Sequence, residues 1–137
     1  MNPLYAVEED CSMESKERYE AYSRQAANEA IEKGHRDIAN LRELLIWTTA
    51  KTTCEAVSAY FRMHHSDREL LRALFKIALE GEDTGDAPWA AANVLAEFPP
   101  SMLLQHKNDL IALSKFEWTY LKKPALEALS KIDKLQT

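Results

Sequence analysis

The sequence predicts an all-α fold of about seven helices in antiparallel pairs, and three observations carry that expectation. Gly is scarce, three in 137 residues, while Ala, Leu, Glu and Lys are plentiful, which favours helix over a turn-rich β fold. Helix start and stop signals recur along the chain. The third observation is an internal echo. Ala91, Val94, Leu95 and Phe98 in DAPWAAANVLAEF coincide with Ala125, Ala128, Leu129 and Ile132 in KPALEALSKI at a constant offset of 34 residues. Each copy has a proline just ahead of its alanine-rich run. A period of this size, with small residues and Leu on one helical face, is the pattern of stacked helix pairs.

Residues 1–11 read as an extended N-terminal arm carrying Glu8, Glu9 and Asp10. The remaining residues, 12–137, form one helical-repeat domain, long enough to bury roughly two-thirds of its unfolded surface without staples. Ser12 is the expected N-cap of the first helix, in which Tyr19, Tyr22, Ala26 and Ala30 recur at helical spacing before Gly34 ends it. The second helix is expected from about Asp37 to Ala50, with Ile38, Leu41, Leu45 and Thr48 in one stripe. The β-branched run Thr48, Thr49, Thr52 and Thr53 weakens helix. It implies either a short break near Thr52 or one long bent helix. The third helix, near Thr53 to His64, presents Val57, Tyr60, Phe61 and His64 on one side.

SDRE reads as a capping box, with Ser66 as N-cap and Glu69 reaching back. The fourth helix then runs to about Glu80 and stops at Gly81. Asp86 is expected to cap the fifth helix, with Pro88 in its first turn, where a missing N–H costs nothing. Pro99 and Pro100 force a stop. A sixth helix is expected from Ser101 to Ser114, and a last one, kinked at Pro124, between Trp118 and Asp133.

Over Ala87 to Ile132 these residues resemble HEAT-like repeats, in which the first helix of a pair carries a run like AAxxLxxF or ALEALxxI. The likeness extends to Thr53–Glu80, where Val57 and Phe61 take the positions of Ala91 and Leu95. The resemblance implies an α-solenoid, a right-handed superhelical stack, and serves adaptors, inhibitors and a few enzymes alike.

Composition narrows the function classes. The net charge is −5, which weighs against nucleic-acid and anionic-membrane surfaces, since both want a basic patch. Acids stand at the N-terminus where a signal peptide needs basic and then apolar residues, and no apolar run reaches the length of a membrane span. Cys11 and Cys54 have neither metal nor redox spacing. Together these predict a cytoplasmic protein with reduced thiols.

Catalytic signatures are not found. His64 and His65 are adjacent and face different ways, while His35 and His106 stand alone in sequence, so surface or capping roles are expected for all four. There is no nucleophile elbow, and Gly34, Gly81 and Gly85 fall at helix ends rather than in a phosphate loop. No catalytic residue, metal or cofactor is expected. The candidate partner-binding residues are the acidic cluster Glu80, Glu82, Asp83 and Asp86, with Trp89 beside it. To these are added Trp118 and Tyr120 in the FEWTY turn, on the same edge one repeat later, because aromatics and desolvated charges dominate interfaces. The bland alternative is a solvated loop with Trp89 tucked into the core. A second surface, where Arg72, Lys76, His106 and Asp109 project, is also a candidate. Lys115, Lys122, Lys123, Lys131 and Lys134 are expected to keep an open stack end soluble.

In general character the chain resembles bacterial immunity proteins of the contact-dependent inhibition type. They are small, acidic, cytosolic proteins that neutralise a cognate toxin, often a basic nuclease. The resemblance implies a non-catalytic partner-binding role, with occlusion of a basic toxin domain. The alternatives are a HEAT-like scaffold or adaptor, or a helical-repeat enzyme on nucleic acid akin to HEAT-like DNA glycosylases. The latter use a basic concave face and longer chains.

Overall fold

The computed structural model describes residues 24–48, 54–81 and 86–136, and among them the chain is all-helical, with no strand. The expected arm, the Ser12 cap, Cys11, Tyr19 and Tyr22 lie outside the described residues. Helix α1 (residues 24–33) buries Ala27 and Ala30, so its inward stripe runs through Ala27 rather than the expected Ala26. Gly34 ends α1 in the left-handed region at φ +79°, and its N–H donates to the carbonyls of Ala30 and Ile31.

Helix α2 (Ile38–Ile46) is capped by the Asp37 side chain, which accepts from the Ala39 N–H at 3.0 Å. It stops short of the expected Ala50. The Thr48 hydroxyl donates to the Leu45 carbonyl at 2.8 Å, the backbone-competing habit of a threonine at a helix end. The Cys54 N–H reaches back to the Trp47 carbonyl at 2.7 Å. Cys54 itself is extended, so α2 and α3 (Glu55–Met63) are separate helices and not one bent one.

Helix α4 (Arg68–Ala78) has Asp67, not Ser66, as its N-cap. The Asp67 carboxylate accepts from the N–H groups of Glu69 and Leu70 at 3.0 and 3.1 Å. Ser66 is exposed in the preceding turn. Both residue types cap well; the carboxylate adds a favourable interaction with the helix dipole. In α5 (Ala87–Ala96) Pro88 occupies the first turn as expected, but Asp86 at the N-cap position makes no side-chain cap bond. Its backbone is already helical, which turns the carboxylate away from the free N–H groups.

The single helix expected over Ser101–Ser114 is divided. Helix α6 (Pro100–Leu103) passes through a tighter 3₁₀ turn, Leu104–His106, into α7 (Lys107–Ser114). The break falls where His106 stacks on Phe75, rings 4.6 Å apart and 16° from parallel. Helix α8 (Thr119–Gln136) begins after Trp118 and contains Pro124, as expected, but extends three residues past Asp133.

Packing centres on α5, which lies against α2, α4 and α8; α8 also covers α6 and α7. The positions paired by the 34-residue offset are the contact residues. Ala91, Leu95, Ala125, Ala128 and Ile132 are fully buried, Val94 and Phe98 nearly so, and Leu129 is half-buried. Val57 and Phe61, in the matching register of α3, are buried too. Three of the four inward positions in α8 are apolar and closed to water, so this interface contributes about 1.5–3 kcal/mol for each large apolar side chain it hides. Lys131, expected at a solvated end, instead donates its Nζ to the Ala96 carbonyl at 3.1 Å, satisfying a free group at the end of α5.

Candidate protein-docking edge

The FEWTY turn is held against the end of α4 by shape. Gly81 sits at φ +84°, and a Cβ there would meet Phe116 Cε1 at 3.4 Å. The positive φ is what favours glycine here; the Phe116 ring lies within ordinary contact distance of that position. The turn delivers Trp118 and then Tyr120 to the first turn of α5, where Trp89 projects. The Trp89 and Tyr120 ring centres are 4.8 Å apart and tilted by 40°; Trp118 meets Tyr120 edge to face at 5.5 Å and 85°. Both are favoured arrangements for aromatic pairs. Trp89 and Trp118 are half-buried, while Tyr120 is 53% exposed. Glu117, Trp118, Thr119 and Tyr120 line a shallow open depression on this edge.

Trp89, Trp118 and Tyr120, three of the candidate residues, are thereby brought into one aromatic cluster, and the exposed Asp86 stands at the start of the helix bearing Trp89. Glu80 is occupied differently: its carboxylate pairs with Arg42 of α2. That hydrogen bond, outweighing the lowering effect of burial, raises the guanidinium's pKa, with the charge of Glu80 adding to it. Glu82 and Asp83 lie outside the described residues. His106 and Asp109 form their own pair, Nδ1 to Oδ2 at 3.4 Å, over Phe75.

The feature that sequence reasoning missed lies elsewhere. His35, expected to stand alone at the surface, is nearly buried and bridges two distant residues. Its Nδ1 is 2.5 Å from the Tyr60 hydroxyl and its Nε2 is 2.7 Å from Asp67 Oδ2. The neutral tautomer protonated at Nε2 satisfies both contacts, donating to Asp67 and accepting from Tyr60. His64 packs against both the His35 and Tyr60 rings, and its Nδ1 lies 2.7 Å from the Tyr60 carbonyl, a helix-end contact. Separations of 25 and 32 residues leave no spacing signal, which is why the network is invisible in the sequence.

An Asp–His–hydroxyl relay has the layout of a nucleophile-activating triad, whose resting state likewise pairs a charged carboxylate with a protonated hydroxyl. Burial, together with the negative charge of Asp67, pushes the Tyr60 phenol above its ordinary pKa, against a smaller lowering effect of the contact with His35. The phenol therefore stays protonated and donates. Burial alone would raise the Asp67 carboxyl; hydrogen bonds from the Leu70 N–H, from His35 and from the Glu69 N–H outweigh it and hold the carboxyl below its ordinary value. A charged acceptor and a protonated phenol make a clasp joining the loop after α1, α3 and the start of α4.

A second concavity, of about 150 Å³, lies between α3 and α5 over Phe61 and Val94, rimmed by the Glu55–Arg62 ion pair and by Glu97. Among the described residues no three His, Cys, Asp or Glu side chains are grouped to hold a metal ion, and no helix is long and apolar enough to cross a membrane. No protein-family model, curated protein or solved structure matches the chain.

Proposed function

We propose that this chain is a non-catalytic protein-binding module, of the toxin-neutralising immunity type, that docks a basic partner domain through the edge formed by Asp86, Trp89, Trp118 and Tyr120. The carrying observation is that Trp89 and Tyr120, from different helices, meet at 4.8 Å between ring centres while Tyr120 stays 53% exposed. A large aromatic pair at the rim contributes less to the core than its area allows. Such pairs are enriched at interface hot spots. The net charge of −5 and the exposed carboxylates of Asp86 and Glu117 suit a basic partner and speed encounter with it. Occlusion of the partner's active surface is the mechanism.

The same reading includes a HEAT-like stack. Its support is the 34-residue register, in which both copies supply buried contact residues to the α5–α8 interface.

If the chain is an immunity protein, a toxin is encoded beside it, and the test is co-expression with that toxin. Growth should be rescued, and a one-to-one complex should survive gel filtration. Trp118→Ala should weaken that complex at least about ten-fold, the size of a hot-spot truncation, while the far-ultraviolet circular-dichroism spectrum stays that of the folded chain. Unchanged affinity would remove the edge from the interface. Failure to recover any stoichiometric partner would remove the binding role.

A further inference from the structure

Trp118 and Tyr120 meet at 85°, so their ring planes form a corner, and the depression beside them has Glu117 and Thr119 as its remaining walls. Trp89 also meets the Tyr120 ring, at 4.8 Å between centres. The chemistry of such a corner is specific. Aromatic faces carry a negative quadrupole, and two faces at right angles present it to one point from two directions. A carboxylate at the rim adds a full negative charge. An acid would be repelled here, and a cation is drawn both by the ring faces and by the exposed Glu117 carboxylate.

We infer that this corner is a receptor for a single arginine side chain of the partner, the guanidinium lying on the Trp118–Tyr120 faces with an N–H directed at Glu117. Guanidinium is favoured over ammonium because it is planar, stacks on rings and sheds water more readily. This rests on the docking edge proposed above and names what that edge grips. Opposing charges lie close by in Lys122 and Lys123, both exposed within one helical turn of Tyr120 on α8.

Two neutral amides serve as probes: N-acetyl-arginine-amide and its uncharged isostere N-acetyl-citrulline-amide. Each is titrated into the ¹⁵N-labelled protein while the three indole N–H resonances are followed. The arginine probe should shift the Trp118 resonance saturably and bind about five-fold more tightly than citrulline, the increment expected of a cation on an exposed aromatic face. N-acetyl-lysine-amide should fall between them. Tyr120→Leu, at an exposed position, should abolish the discrimination, and Glu117→Gln should weaken the arginine probe. Lys123→Gln should strengthen it, by about two-fold for a surface charge.

Equal shifts from arginine and citrulline, or saturation unaffected by Tyr120→Leu, would overturn the arginine receptor. A lysine probe as strong as the arginine one would overturn the guanidinium preference. Failure here is distinguishable from failure of the docking edge. If Tyr120→Leu weakens the partner complex while the probes show no charge discrimination, only the arginine assignment falls. If Tyr120→Leu leaves the complex unchanged, the edge falls with it.

Discussion

Replacing Asp67 by alanine should reveal how much of the fold hangs on one carboxylate. The change removes two contributions. The first is the N-cap of α4, since both the Glu69 and Leu70 N–H groups donate to Asp67; losing such a cap costs about 1 kcal/mol. The second is the acceptor for His35 Nε2, at 2.7 Å and nearly buried; a buried donor left without a partner costs about 1–3 kcal/mol. Together the expected loss at pH 7 is about 2–4 kcal/mol. For a domain of this size that lowers Tm by about 6–12 °C. Asp67→Asn is the internal control. Asparagine caps as well as aspartate, so this variant should lose the charged contact with His35 and the smaller charge–dipole share, and fall between the other two.

The acid dependence has a defined sign. Asp67 has a folded pKa below its ordinary value, so its contribution is complete above the ordinary carboxylate range. It declines as pH falls through that range towards the folded value. Urea midpoints followed by far-ultraviolet circular dichroism between pH 7 and pH 3.5 provide the assay. The gap between wild type and Asp67→Ala should be constant down to about pH 5 and narrow below about pH 4. A gap below about 0.5 kcal/mol at pH 7, the scatter of ordinary surface substitutions, would refute the clasp. So would a gap that does not narrow in acid.

Two further substitutions test the supports of the docking edge and the core. Gly81→Ala puts a Cβ at 3.4 Å from Phe116 on a backbone at φ +84°. It should cost about 1–2 kcal/mol, read as a fall in Tm; an unchanged or raised Tm would mean that the turn adapts freely. His65 lies against Phe98 with Nε2 buried and unpaired, and burial lowers its pKa, against an opposing pull from Glu97. The unfolded chain therefore takes up the proton first, and stability is lost as pH falls through the ordinary histidine range. His65→Leu should flatten that slope between about pH 6.5 and 5, and a slope as steep as the parent's would contradict it.

Legibility followed the range of the interaction. The α5–α8 interface was readable because packing imposed the same small-and-leucine pattern twice, at Ala91–Phe98 and at Ala125–Ile132. The cap of α4 was misplaced by one residue because Ser66 and Asp67 carry the same local preference, and the geometry of the carboxylate decides between them. The division of Ser101–Ser114 was only hinted at by its interrupted apolar pattern; the contact that coincides with it, His106 on Phe75, is tertiary and leaves no local signal. At the edge, repeat spacing placed Trp118 and the end of α4 together, and the structure added the contact between Trp89 and Tyr120. The clasp of His35, Tyr60 and Asp67 left no trace in the sequence, because none of its members is a neighbour of another there.

Helix α5 has a consequence for how the molecule opens. Its buried residues include Ala90, Ala91, Ala92 and Ala96, and α2, α4 and α8 all close upon it. Alanines let those backbones come near, so a local fluctuation that frees α5 must first part several neighbours at once. Amide protons in its middle can then exchange with solvent only when the whole domain opens, while those near Trp118 and Tyr120 exchange through small excursions. The rim can thus move without loosening the centre. A gradient of amide protection from α5 outward would record that division directly.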